Sequence, residues 1–270
     1  MQHAISLAAI QVTGMHNSFR TDAKPFYVGR AAQNGLMATL LAEKSVTASL
    51  EGIEAERGWV HVVSTKENVT AEFQTLGKTW EIDLNTFKPF PCDQIIHAAI
   101  DGWIQLRTKA LDQGLDISSI TNVTARVHLR VLFLTDNPEP NTGLEAKFSL
   151  YHAAAVALLC GEATPTQFTD EAAQNDDVVA LRSKVHVTTD DDVEEHEAFV
   201  VAEFESGDVV EIHVSHVIGS WENPLTAEQL KTKFIDQVGT VIGEDRASSA
   251  WMAYCNIANV TDSSKVVRSY

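Results

Sequence analysis

Between Gly29 and Ala42 the chain carries Ala31, Ala32, Gly35, Leu36, Ala38, Thr39, Leu40 and Ala42, so small or apolar residues fall on nearly every side of a helix. Small residues at this density let helix backbones approach closely, which places such a helix inside a bundle. A lone pair of helices cannot cover these faces, so the stretch implies helical partners that the neighbouring sequence does not supply. Residues 3–14 read as a second helix, apolar around most of its circumference through Ile5, Leu7, Ala8, Ala9 and Val12 and ending near Gly14. The polar stretch from Met15 to Pro25 between them reads as a loop. Ser45 to Gly58 reads as a loop with a short helix, and Trp59 to Val63 as a short strand or helix.

The pattern changes in the middle of the chain. Lys88-Pro89-Phe90-Pro91 forms a stiff turn, because each proline fixes its own backbone angle. Cys92 to Leu111 is an amphipathic helix with Ile95, Ile96, Ala99, Ile100, Trp103 and Leu106 on one side. From Asn122 to Phe133 the period is two: Val123, Ala125, Val127, Leu129, Val131 and Phe133 share a face, which predicts a half-buried strand. Lys147 to Cys160 is a second apolar helix closed by Gly161, and Thr166 to Ala173 is a short helix. Lys184 to Thr189 alternates again, and Phe199–Phe204 with Val209–Val217 predicts a hairpin around Gly207. Thr226 caps a final helix running to Ile242, and the polar tail after Thr261 reads as loose. The fold class is therefore α+β: helical pieces at 1–84 and 221–270 flank an α+β unit at 85–220 with an antiparallel sheet.

Charge narrows the function. Twenty Lys and Arg against 37 Asp and Glu give a formal net charge of −17, which argues against nucleic acid and anionic membranes as partners. A small anionic substrate remains compatible, since a basic pocket can sit inside an acidic shell. The three dispersed cysteines favour a reducing, intracellular compartment, cytoplasmic with mitochondrial as the alternative. No nucleotide fingerprint, phosphate loop or nucleophile elbow is present, and nothing calls for a metal or another cofactor.

Four ordered stretches carry a family likeness: Lys24-Pro25 followed by Gly29-Arg30-Ala31-Ala32-Gln33-Asn34-Gly35; Lys88-Pro89-Phe90-Pro91-Cys92 with His97 and Asp101; Ala146-Lys147-Phe148-Ser149-Leu150-Tyr151-His152; and Asn223-Pro224-Leu225 with Lys233-Phe234. Together they resemble the C-terminal portion of the MmgE/PrpD family, the methylcitrate dehydratase and cis-aconitate decarboxylase group. The resemblance implies a helical domain, here in part (1–84 and 221–270), and a smaller lid (85–220), with the active site in a cleft. It also sets the expectation that much of that family's N-terminal helical segment, with histidines assigned to catalysis, is absent from this chain.

A citrate-like acid needs cations for its carboxylates and an acid or base to move a proton at carbon. Lys24 and Lys88 each sit beside a proline, and the resemblance implies that both bind substrate carboxylate and take part in catalysis. Arg20, Arg30 and Tyr151 are further candidate substrate ligands. His152 follows Ser149 into an apolar helix, where a titrating imidazole can serve as acid or base. His97 and Asp101 lie one turn apart and can touch, as an oriented catalytic pair or a structural one. The readings that follow are a lyase performing dehydration or decarboxylation, a homologue that depends on a homo-oligomer or a partner chain for missing helices, or an isomerase, epimerase or cyclase on the same scaffold.

Overall fold

The computed structural model describes residues 1–12, 14, 15, 18, 21–65 and 70–270, with the backbone alone for 70–72. The chain divides into two units, Met1–Leu84 and Asn85–Tyr270.

In the first unit, α1 (Gln2–Ala9) packs on α2 (Ala23–Glu43), and α3 (Trp59–Val63) follows. Asn34 ties the helices together by donating from Nδ2 to the Gln11 carbonyl at 3.1 Å. The structure starts α2 earlier than the sequence suggested: Lys24-Pro25 is its first turn and not a loop. Proline is tolerated there because the first N–H groups of a helix have no partner inside it. Trp59 to Val63 resolves to helix. Among the described residues of α2 only Asn34 and Ala38 are buried, and Phe26, Val28 and Leu36 are each more than 60% exposed.

The second unit opens with a 3-10 turn at Gln94–Ile96, capped by the Asp93 side chain, and runs into α4 (His97–Asp112). Strand β1 (Ile120–Val127) leads to α5 (Leu129–Thr135), α6 (Gly143–Ala146), α7 (Leu150–Cys160), α8 (Asp170–Ala173) and α9 (Asp176–Arg182). Strands β2 (Val185–Thr189), β3 (Ala198–Phe204) and β4 (Val209–Val214) follow, then α10 (Ala227–Ile242), α11 (Glu244–Cys255) and α12 (Ser263–Arg268). The sheet order is β2-β1-β3-β4. The β1–β3 and β3–β4 pairs are antiparallel, but β1–β2 is parallel, so the sheet is mixed where a purely antiparallel one was expected. The reason is topological: β2 returns beside β1 after a helical crossover, α5 to α9, and such a connection delivers a parallel strand.

One face of the sheet carries Val185, Val123, Ala202 and Val210 in one cross-strand row and Val187, Ala125, Val200 and Ile212 in the next. Against it lies α4, whose Gly102 comes so close that an added Cβ would meet Val200 Cγ2 at 2.9 Å. Trp103, Ile100 and Leu106 of α4 are fully buried, as is most of α7, from Leu150 through Leu158 apart from Tyr151. Gly161 closes α7 at φ +75°, as expected, but the helix starts at Leu150 and not at Lys147, because Ser149 caps it by accepting from the His152 N–H.

The alternation from 122 to 133 overshoots the strand. At His128 the side chain accepts from the Arg130 N–H at 3.2 Å and starts a helix instead. Val131 and Thr135 then bury one face at helical spacing, while Leu129 and Phe133 stay exposed. The tail is helical too: α10 folds back on α11 through Gly243, and Phe234 meets the rings of Trp251 and Tyr254 at 5.5 and 6.2 Å. Thr226 and Gln229 form a full capping box at the start of α10. Among the described residues no helix is long and apolar enough to cross a membrane.

Gly219, at φ +89°, seats the segment after β4 against the Lys88 turn: its carbonyl accepts from the Phe87 N–H at 2.9 Å, and an added Cβ would run into the Phe87 carbonyl. Gly207, at φ +87°, faces open space. Gly207→Ala should therefore cost only the left-handed strain of about 1 kcal/mol, whereas Gly219→Ala should cost about 3 kcal/mol. Urea unfolding of the two variants checks the difference; equal losses would mean that the Phe87 contact is not rigid.

Candidate functional site

The second unit gathers three nitrogen groups around the Lys88 turn. Lys88 Nζ donates to the Cys92 carbonyl at 3.3 Å, closing the turn on itself. Asp93 then caps the next turn by accepting from the Ile95 N–H, and α4 begins at His97. His97 is 1% exposed and packs edge-on to Phe90, with ring centroids 5.3 Å apart. Its Nε2 has no hydrogen-bond partner among the described residues. Burial, with the positive charges of Lys88 and Lys233 added, pushes its pKa down to about 3, although a bond to the Cys92 backbone pulls the other way. The ring is neutral in the ordinary pH range. Lys233, on α10, is also pushed down, first by burial and then by Lys88. Among the described residues neither lysine has a carboxylate partner within ion-pair distance. Two lysines thus lie near the buried imidazole with no described carboxylate at ion-pair distance from either, an arrangement that accommodates an entering carboxylate.

Beside them is a cavity of about 380 Å³, within the range of small-molecule sites. Pro89, Phe90, Ile104, Ile218 and Leu225 form much of its wall, and Lys233, Gln229 and Asp101 contribute polar groups. Asp101 accepts one bond at each oxygen: Oδ1 from Gln105 Nε2 at 2.9 Å and Oδ2 from the Ile218 N–H at 3.1 Å. The His97–Asp101 contact that the spacing allowed is therefore not formed, because the backbone of the segment after β4 takes the carboxylate.

The other sequence candidates stand elsewhere. His152 is fully buried in α7, with Nε2 at 2.7 Å from the Gln167 carbonyl and its ring tilted against Phe168. A carbonyl only accepts, so Nε2 carries the proton and Nδ1 is a bare acceptor without a partner. Burial lowers its pKa too. Tyr151 donates from its hydroxyl to Asp136 Oδ1 at 2.9 Å. Burial and then Asp136 push its pKa up to about 12, so it stays a donor. Lys24 is half-buried in the first turn of α2. Arg30 is exposed on the same helix and donates to Gln33 Oε1 at 2.9 Å. Arg20 lies outside the described residues. The structure thus brings Lys88 and His97 together, and adds Lys233, which the sequence reading placed in a motif but not in a site. A signal existed: Gln229, Lys233 and Gln237 recur every four residues along α10, a polar stripe on one helix face.

Cys92 is buried and its thiol is pushed up, so it is no nucleophile. His213 pairs with Glu197 at 2.6 Å, and His216 stacks on His196. Among the described residues no three His, Cys, Asp or Glu side chains gather as metal ligands.

The state of His97 has a measurable sign. An unfolded histidine takes up a proton near pH 6.5, and folded His97 does so only near pH 3. Its neutral burial is a stabilising contribution present above pH 6.5 and lost as pH falls towards 3, by at most about 1.4 kcal/mol per pH unit. Urea midpoints at pH 7 and pH 4.5 should lie closer together in His97→Gln than in the parent chain. An unchanged gap would show that His97 is not held neutral.

Sequence comparison agrees with this architecture. Residues 90–254 match the MmgE/PrpD C-terminal domain and residues 1–72 the MmgE/PrpD N-terminal domain. The cis-aconitate decarboxylase of Homo sapiens is 22% identical over 272 residues, covering 97% of this chain and 56% of that protein. The cis-aconitate decarboxylase of Mus musculus is 21% identical over 277 residues, covering 99% of this chain and 56% of its own length. The chain spans about half the length of these curated relatives. With both family domains matched, and the C-terminal match alone covering more than half of it, the chain belongs to the MmgE/PrpD family.

Proposed function

We propose that this protein acts as a lyase on a citrate- or aconitate-type carboxylic acid, by dehydration or decarboxylation. The observation that carries the reading is Lys88 and Lys233, neither with a described carboxylate at ion-pair distance, near the buried, neutral His97. Two ammonium groups suit two carboxylates of a polycarboxylic acid, and charge-assisted bonds of that kind are the strong ones. His97 is the proton acceptor in this proposal. Burial first, and the two lysines after it, hold its basicity down; a bound dianion offsets the lysine part of that depression. The activity for which the two relatives are named, cis-aconitate decarboxylation, supports the substrate class.

Turnover of cis-aconitate, citrate and methylcitrate, followed by release of carbon dioxide and by absorbance of the enoic acid, tests this directly. Activity with at least one is expected between pH 5 and 9, and none at all would sink the reading. Lys88→Ala should raise KM for the acid about 10-fold or more, the worth of one lost charged hydrogen bond. Unchanged kinetics would remove Lys88 from the site, and the same assay on Lys24→Ala examines the role implied for that residue.

A second reading has its own observation. In the first unit Phe26, Val28, Leu36, Leu40, Trp59 and Val62 are exposed, while few apolar side chains are buried. Exposed apolar surface of that extent favours association, so the active form is a homo-oligomer or a complex with a chain that supplies further helices. Light scattering of the purified protein should report a species larger than one chain; a stable monomer would argue against it.

A further inference from the structure

The cavity of about 380 Å³ beside Lys233 is larger and more apolar than a compact polycarboxylate requires. Pro89, Phe90, Ile104, Ile218 and Leu225 present hydrocarbon to it from four separate segments of the second unit. We propose that this cavity is a binding subsite for the hydrocarbon chain of an organic acid, with the ammonium of Lys233 as the ligand of its carboxylate. The substrate class of the lyase is thereby narrowed to acids that carry an alkyl chain. The proposal rests on the lyase reading only for that last step; the subsite itself stands on the cavity.

Charge and geometry both favour such a ligand. Lys233 is half-buried at the cavity and no described carboxylate lies within ion-pair distance of it. The acidic residues nearby are not paired with it. Asp101 is oriented by Gln105 and by the Ile218 N–H and lies outside ion-pair distance. Glu228 is turned to Lys231 at 3.5 Å with its side chain 78% exposed, and Asp236 is exposed. A neutral apolar ligand would leave the lysine desolvated and unpaired, and a small, highly charged one would leave the Phe90, Ile104 and Leu225 wall dry and empty. An acid with a chain satisfies both ends at once. The wall is also fixed in place, because Phe87 and Gly219 are hydrogen-bonded and Asp101 holds the backbone at Ile218.

Calorimetric titration of the intact chain with butanoate, hexanoate and octanoate tests this. Affinity should rise about 3–4-fold for each added methylene, the burial value of one such group. Lys233→Gln should weaken all three about 10-fold while keeping that increment, and Leu225→Ser should shrink the increment while sparing the headgroup. Leu225 is only half-buried just before α10, so this variant keeps the core intact. Affinity independent of chain length, or an increment untouched by Leu225→Ser, would overturn the subsite. Chain-dependent binding of alkanoates in a protein that turns over no citrate- or aconitate-type acid would uphold the subsite and sink the lyase reading. Turnover without chain dependence would do the reverse.

Discussion

Everything in the second unit depends on how closely α4 can lie on the sheet. Gly102 removes the one side chain that would hold the helix away from Val200 and Val214, and Ala125, Ala198 and Ala202 keep the facing strands low. With the helix seated, Ile100, Trp103 and Leu106 reach full burial. The orientation of α4 also places His97 under Phe90, Asp101 beneath the backbone at Ile218, and Ile104 on the cavity wall. A Cβ at 102 would need Val200 to move, and that movement would pass along the helix to every one of these contacts.

Much of this was legible because it is local. The end of α7 follows from Gly161 and the start of α10 from Thr226, both short-range backbone chemistry, whereas α7 starts three residues later than expected, at Leu150, because the Ser149 side chain caps it. The turn at Lys88 follows from its prolines. What escaped was decided at a distance or by a competing local bond. Leu129, Val131 and Phe133 keep strand alternation, yet the His128 side chain starts a helix there. The parallel partner of β1 is separated from it by the whole α5 to α9 crossover, which no short-range pattern reports. Asp101 had the right spacing to orient His97, but the Ile218 N–H claims it from 117 residues away. Lys233 looks like any surface lysine until its neighbours on α4 and the Lys88 turn are known.

The two units differ in how far they satisfy their own apolar residues. The second has one continuous core running through α4, α7 and the sheet. In the first, α2 exposes most of the small and apolar positions that made it look like a bundle helix, and holds to α1 through contacts such as the Asn34 bond. Among the described residues that face of the helix stays open.

The Asp101–Ile218 bond, at the rim of the cavity, also sets an order of assembly. It joins residues 117 apart, and the other walls of the cavity come from residues as distant as Pro89 and Lys233. Closing so long a loop carries an entropic cost that local helices do not meet, so contacts of this kind form after the short-range structure around them. During synthesis, α4 and β1 emerge long before the segment that completes the pocket. Until residue 218 has left the ribosome the carboxyl of Asp101 has only the Gln105 amide, and until residue 233 has followed, the apolar wall at Phe90 and Ile104 lacks its α10 side. The cavity is thus completed later than α4, which supplies part of its wall.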